Sequence, residues 1–180
     1  SLSRRAFGAS LATALGALAS ACSAPPTGSG GSGPAAITPA PRAAMKGDRA
    51  FVYDTGDHLQ GADDWQPTES VYGEGSGRPF YLVGDSMAAQ LATPMREASR
   101  AHGYAFKPRS RATTSFTLPV AGRPLERRWR RAVLDQIAAD RNRQPLVVVT
   151  GQQMGTVQEI GRTVEALRAV GAEVRMVTVT

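Results

Sequence analysis

The sequence predicts a three-layer α/β domain, a parallel sheet with helices on both of its faces. Three observations carry this. Short apolar runs at residues 80–83 and 146–149 have the composition of strands buried on both sides, and residues 174–179 read as a last strand. The stretches between them carry apolar residues at helical spacing. The alternation from residue 80 onward is regular, β-α-β-α-β-α-β, and strands separated by helices of this length pair in parallel.

The elements follow in order. Residues 51–79 hold Phe51, Tyr53, Trp65 and Tyr72 among glycines and aspartates without a sustained period, which predicts turns and short extended pieces. Residues 80–83 form the first full strand. Residues 87–102 are helical in character; Pro94, preceded by Thr93, predicts a kink or split there, and Gly103 ends the element. Residues 104–107 make a second strand, followed by the polar loop PRSRATTSFTLPVAGRP. In residues 125–140, Leu125, Trp129, Val133 and Ile137 make one apolar stripe opposite the arginines. Residues 146–149 are the strongest strand. Thr156 and Glu159 have capping-box spacing, and Val157, Ile160, Val164 and Leu167 continue a helical face to Gly171. Residues 174–179 close the chain as a last strand.

Before this domain lie two other segments. In residues 1–22, Arg4 and Arg5 precede an apolar run that ends in small residues, the pattern of an export signal and similar to the twin-arginine type. Cys22 follows Ala19-Ser20-Ala21 and is the only cysteine, which excludes an intramolecular disulfide. Its position resembles a lipoprotein cleavage site, with Leu18 four residues before the cysteine where three is usual. The expectation is a lipidated Cys22 on the outer face of the cytoplasmic membrane; simple secretion is the alternative. Residues 23–48 are Pro, Gly, Ser and Ala without apolar periodicity, a flexible linker. Residues 49–180 are the folded domain.

The net charge is +6. Without Arg4 and Arg5, the 21 basic residues become 19 against 15 acidic ones. Arginines crowd residues 123–143. They read as the solvated face of the helix there, with an acidic envelope polymer or lipid headgroup as the functional alternative. No aromatic-interleaved basic surface accompanies them, so nucleic acid is not an expected partner.

The chemistry centres on YLVGDSMAAQL, residues 81–91. A strand gives way to a helix at Gly84-Asp85-Ser86, which places Ser86 where unpaired N–H groups and the helix dipole favour negative charge. These three residues also suit a plain turn and helix cap. The loop TGQQMGT, residues 150–156, ends another strand on the same edge, where ligands of parallel sheets bind.

The stretch YLVGDSMAAQLATPMREASRAHGY resembles the first block of the SGNH (GDSL-like) hydrolases. It is more similar still to the SGNH domains fused to, or partnered with, membrane acyltransferases that O-acylate envelope glycans. The lead-in VYGEGSGRPFYLVGDS, the tryptophan helix before PLVVVT, and the LRAVGAEVRMVTVT ending follow the same pattern, over residues 70–180. The resemblance implies a flavodoxin-like, SGNH-type sheet with Ser86 as nucleophile and, through its backbone N–H, one oxyanion donor. Asp85 and Gly84 then support the turn. Gly151 takes the place of the third-block glycine, and Gln153 that of the asparagine whose side chain completes the oxyanion hole. The second-block glycine has no counterpart in RSRATTSF.

The resemblance also implies an Asp-x-x-His base after the last strand, and residues 1–180 contain no such motif. His102 lies at the far end of the helix that Ser86 begins, about 24 Å away at 1.5 Å per residue. His58, in DTGDHL, reads as a surface-loop histidine. The expectation is therefore a domain incomplete at its C-terminus, with little activity by itself, or else an inactive binding or scaffold domain at the cell envelope. As an enzyme it would be a serine-dependent ester hydrolase or O-acyltransferase. Its substrate would be an acylated carbohydrate or other small ester, a membrane acyltransferase its partner, and its chemistry free of any cofactor. Asp54, Asp57, His58, Asp63 and Asp64 cluster in sequence, but acidic loop composition accounts for them better than a metal.

Overall fold

The computed structural model describes residues 49–118, 123–152 and 154–178. Cys22, Gln153, the leader and the linker lie outside the described residues. Among the described residues the sheet has six strands: β1 (His58–Leu59), β2 (Tyr72–Gly73), β3 (Arg78–Gly84), β4 (Tyr104–Arg111), β5 (Leu146–Gly151) and β6 (Glu173–Thr178). Three helices connect the last four: α1 (Ser86–Ala101), α2 (Pro124–Ala139) and α3 (Val157–Ala169). The order across the sheet is β1-β4-β3-β5-β6, all parallel. The short β2 runs antiparallel to β4 on the edge that β1 also uses.

The alternation of side chains along β3, β4 and β5 feeds two cores. Phe80, Leu82, Phe106, Leu146 and Val148 pack under α1, together with Ala50 and Val52 from the segment around the 3-10 turn Phe51–Tyr53. Tyr81, Val83, Val147 and Val149 pack under α2 and α3 against Trp129, Val133, Ile137 and Leu167. Both faces are covered, as the apolar runs require. From β3 the chain passes to β4 on one side and then crosses to β5 on the other. The carboxyl end of β3 is thus a switch point in strand order, where such sheets open a crevice.

Several elements differ in extent from the sequence reading. β3 starts two residues early, at Arg78, and Pro79 fits because pairing with β5 begins only at Phe80. β4 runs on to Arg111 through residues assigned above to a polar loop. Pro108 falls between the β2 and β1 contacts on that edge, where no ladder donor is needed. Arg109, Ser110 and Arg111 are all buried, with their polar groups bonded.

α1 continues through Pro94 as one helix. Gln90 and Pro94 both lie on the exposed side, where water reaches the carbonyl that the proline leaves unpaired. Its buried residues Ala88, Ala89 and Ala92 are small and let the helix sit low on the sheet. On α2 the expected stripe is buried from Trp129 to Ile137, but Arg130 is buried too, donating through Nε and Nη2 to the Ser115 carbonyl at 3.0 and 2.9 Å. On α3 the capping box of Thr156 and Glu159 is formed. Val157, the first residue of the helix, is 87% exposed and not part of the buried face, which consists of Thr163 and Leu167.

Candidate functional site at the carboxyl end of β3

The site is built where β3 stops and α1 begins. At Gly84 a Cβ would overlap the Thr150 carbonyl oxygen of neighbouring β5, so only glycine allows the two strands this close an approach. Asp85 is the N-cap of α1 and is buried. Its Oδ1 accepts from the Met87 N–H at 2.8 Å, and its Oδ2 accepts from the Gln152 N–H at 2.8 Å. One carboxylate thereby fixes both the helix start and the loop after β5. Gly151 makes room for it: a Cβ there would lie 3.0 Å from Asp85 Oδ2. Ser86 is the first residue of α1, half-buried, and its hydroxyl has no hydrogen-bond partner among the described residues. Its own N–H belongs to the first turn, which has no intrahelical acceptor for it.

A row of register partners crosses this edge of the sheet: His58, Ser110, Gly84, Thr150 and Val177. His58 is not on a surface loop. It lies in β1, 4% exposed, with Nδ1 2.9 Å from Ser110 Oγ and its ring against Tyr53. β1 stands two strands from β3, about 10 Å at ordinary strand spacing. The sequence reading missed this because a two-residue strand leaves no periodic signal. Thr150 is fully buried, and its Oγ1 has no hydrogen-bond partner among the described residues. After β4, Thr113 holds a φ of 54°, a conformation that costs a β-branched residue and that glycine would adopt freely.

Burial pushes the His58 imidazole below its ordinary pKa of 6.5, and the nearby Asp85 charge only partly opposes this. The folded state therefore holds His58 neutral where the unfolded chain already takes a proton. The stability present above the unfolded value is lost as pH falls through it toward the folded one. Urea midpoints of the parent protein should fall from pH 7.5 to pH 5.5, about one unit either side of the ordinary histidine value, and His58→Gln should lessen that fall. An equal fall in the variant would show that His58 is not the titrating group.

Asp57 is likewise buried and not a solvated loop carboxylate. It accepts from the Tyr72 hydroxyl at 2.6 Å and the Thr55 hydroxyl at 2.7 Å, also from the Thr68 hydroxyl, with Arg109 Nη1 at 4.0 Å. Among the described residues no group of three His, Cys, Asp or Glu side chains is placed to hold a metal ion. His102 caps the far end of α1 and is exposed.

Comparison with known proteins adds the decisive observation. The family model described as an SGNH domain fused to AT3 domains matches residues 45–178. The chain belongs to this SGNH family. A solved structure of the lipopolysaccharide acetyltransferase periplasmic domain of Salmonella ser. Paratyphi A is similar in fold, with a TM-score of 0.50 at 13% identity. The match covers 80% of this chain and 59% of that one. No curated protein sequence gives a significant match. The Gly84-Asp85-Ser86 turn of this SGNH domain thus stands at the switch point, with Gly151 beside it; Gln153 lies outside the described residues. No helix among the described residues is long and apolar enough to cross a membrane.

Proposed function

We propose that this SGNH domain is a serine-dependent ester hydrolase or O-acyltransferase acting on acyl groups of an envelope carbohydrate. The observation that carries the reading is the placement of Ser86 at the start of α1, on the switch-point edge, with Asp85 holding the helix start and the loop after β5. In this reading Ser86 Oγ attacks the acyl carbonyl and forms an acyl-enzyme, releasing the first alcohol. Water or a sugar hydroxyl then takes the acyl group. The developing oxyanion receives the Ser86 N–H and the Gln153 carboxamide, and interactions of this kind contribute about 3–4 kcal/mol to the transition state. Asp85 does not act as the base: both of its oxygens are engaged with backbone N–H groups. Membership of a family fused to AT3 domains supports a membrane acyltransferase as partner, and the periplasmic neighbour supports an exported domain. Lipidation at Cys22 and the linker at residues 23–48 are part of the same proposal.

Intact-mass analysis of the full-length protein after incubation with p-nitrophenyl acetate tests it, with peptide mapping of the product. The expected result is an acetyl adduct on the peptide containing Ser86. A second reading, a non-catalytic binding domain, has one observation in its favour: neither described histidine is hydrogen-bonded to Ser86. Absence of the adduct, or an adduct confined to other residues, would favour that reading.

A further inference from the structure

Two cavities meet beside the edge on which Ser86 stands. One, of about 610 Å³, lies between the loop after β1 and the first turn of α2, with Arg111, Arg123 and Glu126 in its wall. The other, of about 580 Å³, follows the outer side of α2 past Trp65, Arg127 and Arg128. Pro124 belongs to both walls, so the two adjoin there and are treated together as a groove. Each volume lies within the range of about 300–1,000 Å³ usual for ligand sites. The groove begins where β1 and β4 end, the same carboxyl edge of the sheet as the end of β3.

Its charge is one-sided. Among the described residues, five arginines and two carboxylates line it. Both carboxylates are engaged: Glu126 with the buried Arg130 at 3.6 Å, and Asp135 with Arg131 at 3.1 Å. Asp64, on the adjoining loop, turns its carboxylate onto the Gly61 N–H at 3.0 Å. Arg111 is held rigidly, donating to the carbonyls of Asp64 and Ala62 at 2.9 and 3.1 Å and to Thr114 Oγ1 at 2.8 Å. Behind the wall, Arg130 Nη1 is buried without a hydrogen-bond partner among the described residues. Arg128 sits over the half-buried Trp65 ring at 5.9 Å, which fixes a cation beside an aromatic wall.

We propose that this groove binds an acidic polysaccharide, whose carboxylate or phosphate groups meet the arginines while a neighbouring sugar unit reaches the Ser86 edge. The proposal rests on the carbohydrate reading above, to which it adds the acidity of the acceptor. A membrane surface fits less well. Surface-docking helices insert large apolar side chains, and the exposed ones among the described residues, Val71 and Val157, lie outside the groove.

Calorimetric titration of the full-length protein with polygalacturonate oligomers, and with dextran oligomers of equal length, tests it. The expected result is salt-sensitive binding of polygalacturonate that dextran does not share, weakened about tenfold in Arg123→Gln/Arg128→Gln at low ionic strength. Arg100→Gln/Arg168→Gln, which removes the same charge elsewhere, should bind as the parent does. Equal loss in both double variants, equal binding of dextran, or equal binding of phosphatidylglycerol vesicles would overturn the proposal. Both double variants change exposed side chains, and their circular dichroism should match the parent. Binding without a Ser86 adduct would overturn the catalytic reading alone; an adduct without binding would overturn the groove alone.

Discussion

In the full-length protein acting with an Asp-x-x-His base, Ser86→Ala is expected to lower p-nitrophenyl acetate turnover by about 10³-fold or more and to leave unfolding stability within about 0.5 kcal/mol of the parent. The two halves of this expectation have separate causes. Turnover falls because the oxygen that would carry the acyl group is gone. Stability holds because Ser86 does not cap its own helix. The cap is Asp85, whose carboxylate takes the Met87 N–H, while the Ser86 hydroxyl has no partner among the described residues. Alanine is also the better helix former. Asp85→Ala supplies the contrast: it removes a cap worth about 1 kcal/mol and also releases the Gln152 N–H from its 2.8 Å bond. That variant should lose both stability and turnover. Steady-state kinetics with urea midpoints on the two variants separate a reacting side chain from a positioning one. Unchanged turnover in Ser86→Ala would remove the serine from the mechanism.

What the sequence made legible was whatever repeats. The apolar runs of β3 and β5, the stripe of α2 and the capping box of α3 each carry a period or a fixed spacing, and each is present. The turn at Gly84-Asp85-Ser86 was legible as a motif, although its reason for being was not. That Gly84 clears the Thr150 carbonyl, and that Asp85 reaches across to Gln152, are contacts between residues far apart in the chain. The same holds for the extra strand. Two residues, His58 and Leu59, have no periodicity, and their pairing with Ser110 and Arg111 depends on a partner that itself read as a loop. The polar half of β4 concealed a strand because charged residues signal solvent unless something buried answers them. Here something does.

That buried answer carries the other large prediction. Arg109→Leu is expected to cost about 3–5 kcal/mol of unfolding stability, as removing one partner of a buried ion pair does. The side chains of Arg109 and Asp57 are 2% and 0% exposed. The guanidinium spans three elements: Nε donates to Gln136 Oε1 of α2 at 2.6 Å, Nη1 to the Pro108 carbonyl at 2.7 Å, and both Nη1 and Nη2 to the Ser70 carbonyl at 3.2 Å. Leucine would fill much of the volume yet leave these acceptors unpaired and Asp57 buried without its cation. The loss should reach beyond Arg109, because Asp57 also gathers the Thr68 and Tyr72 hydroxyls and so secures the segment between β1 and β3 to the sheet. Arg109→Lys should recover only part of the loss, since one ammonium cannot reproduce the planar fork. If charge stranding is the cause, Asp57→Asn in the Arg109→Leu background should restore some stability while costing stability in the parent. Urea unfolding of the four proteins closes the cycle. A coupling energy near zero between the two positions would mean that Arg109 acts only through its carbonyl and Gln136 bonds, and that Asp57 is held by hydroxyls alone.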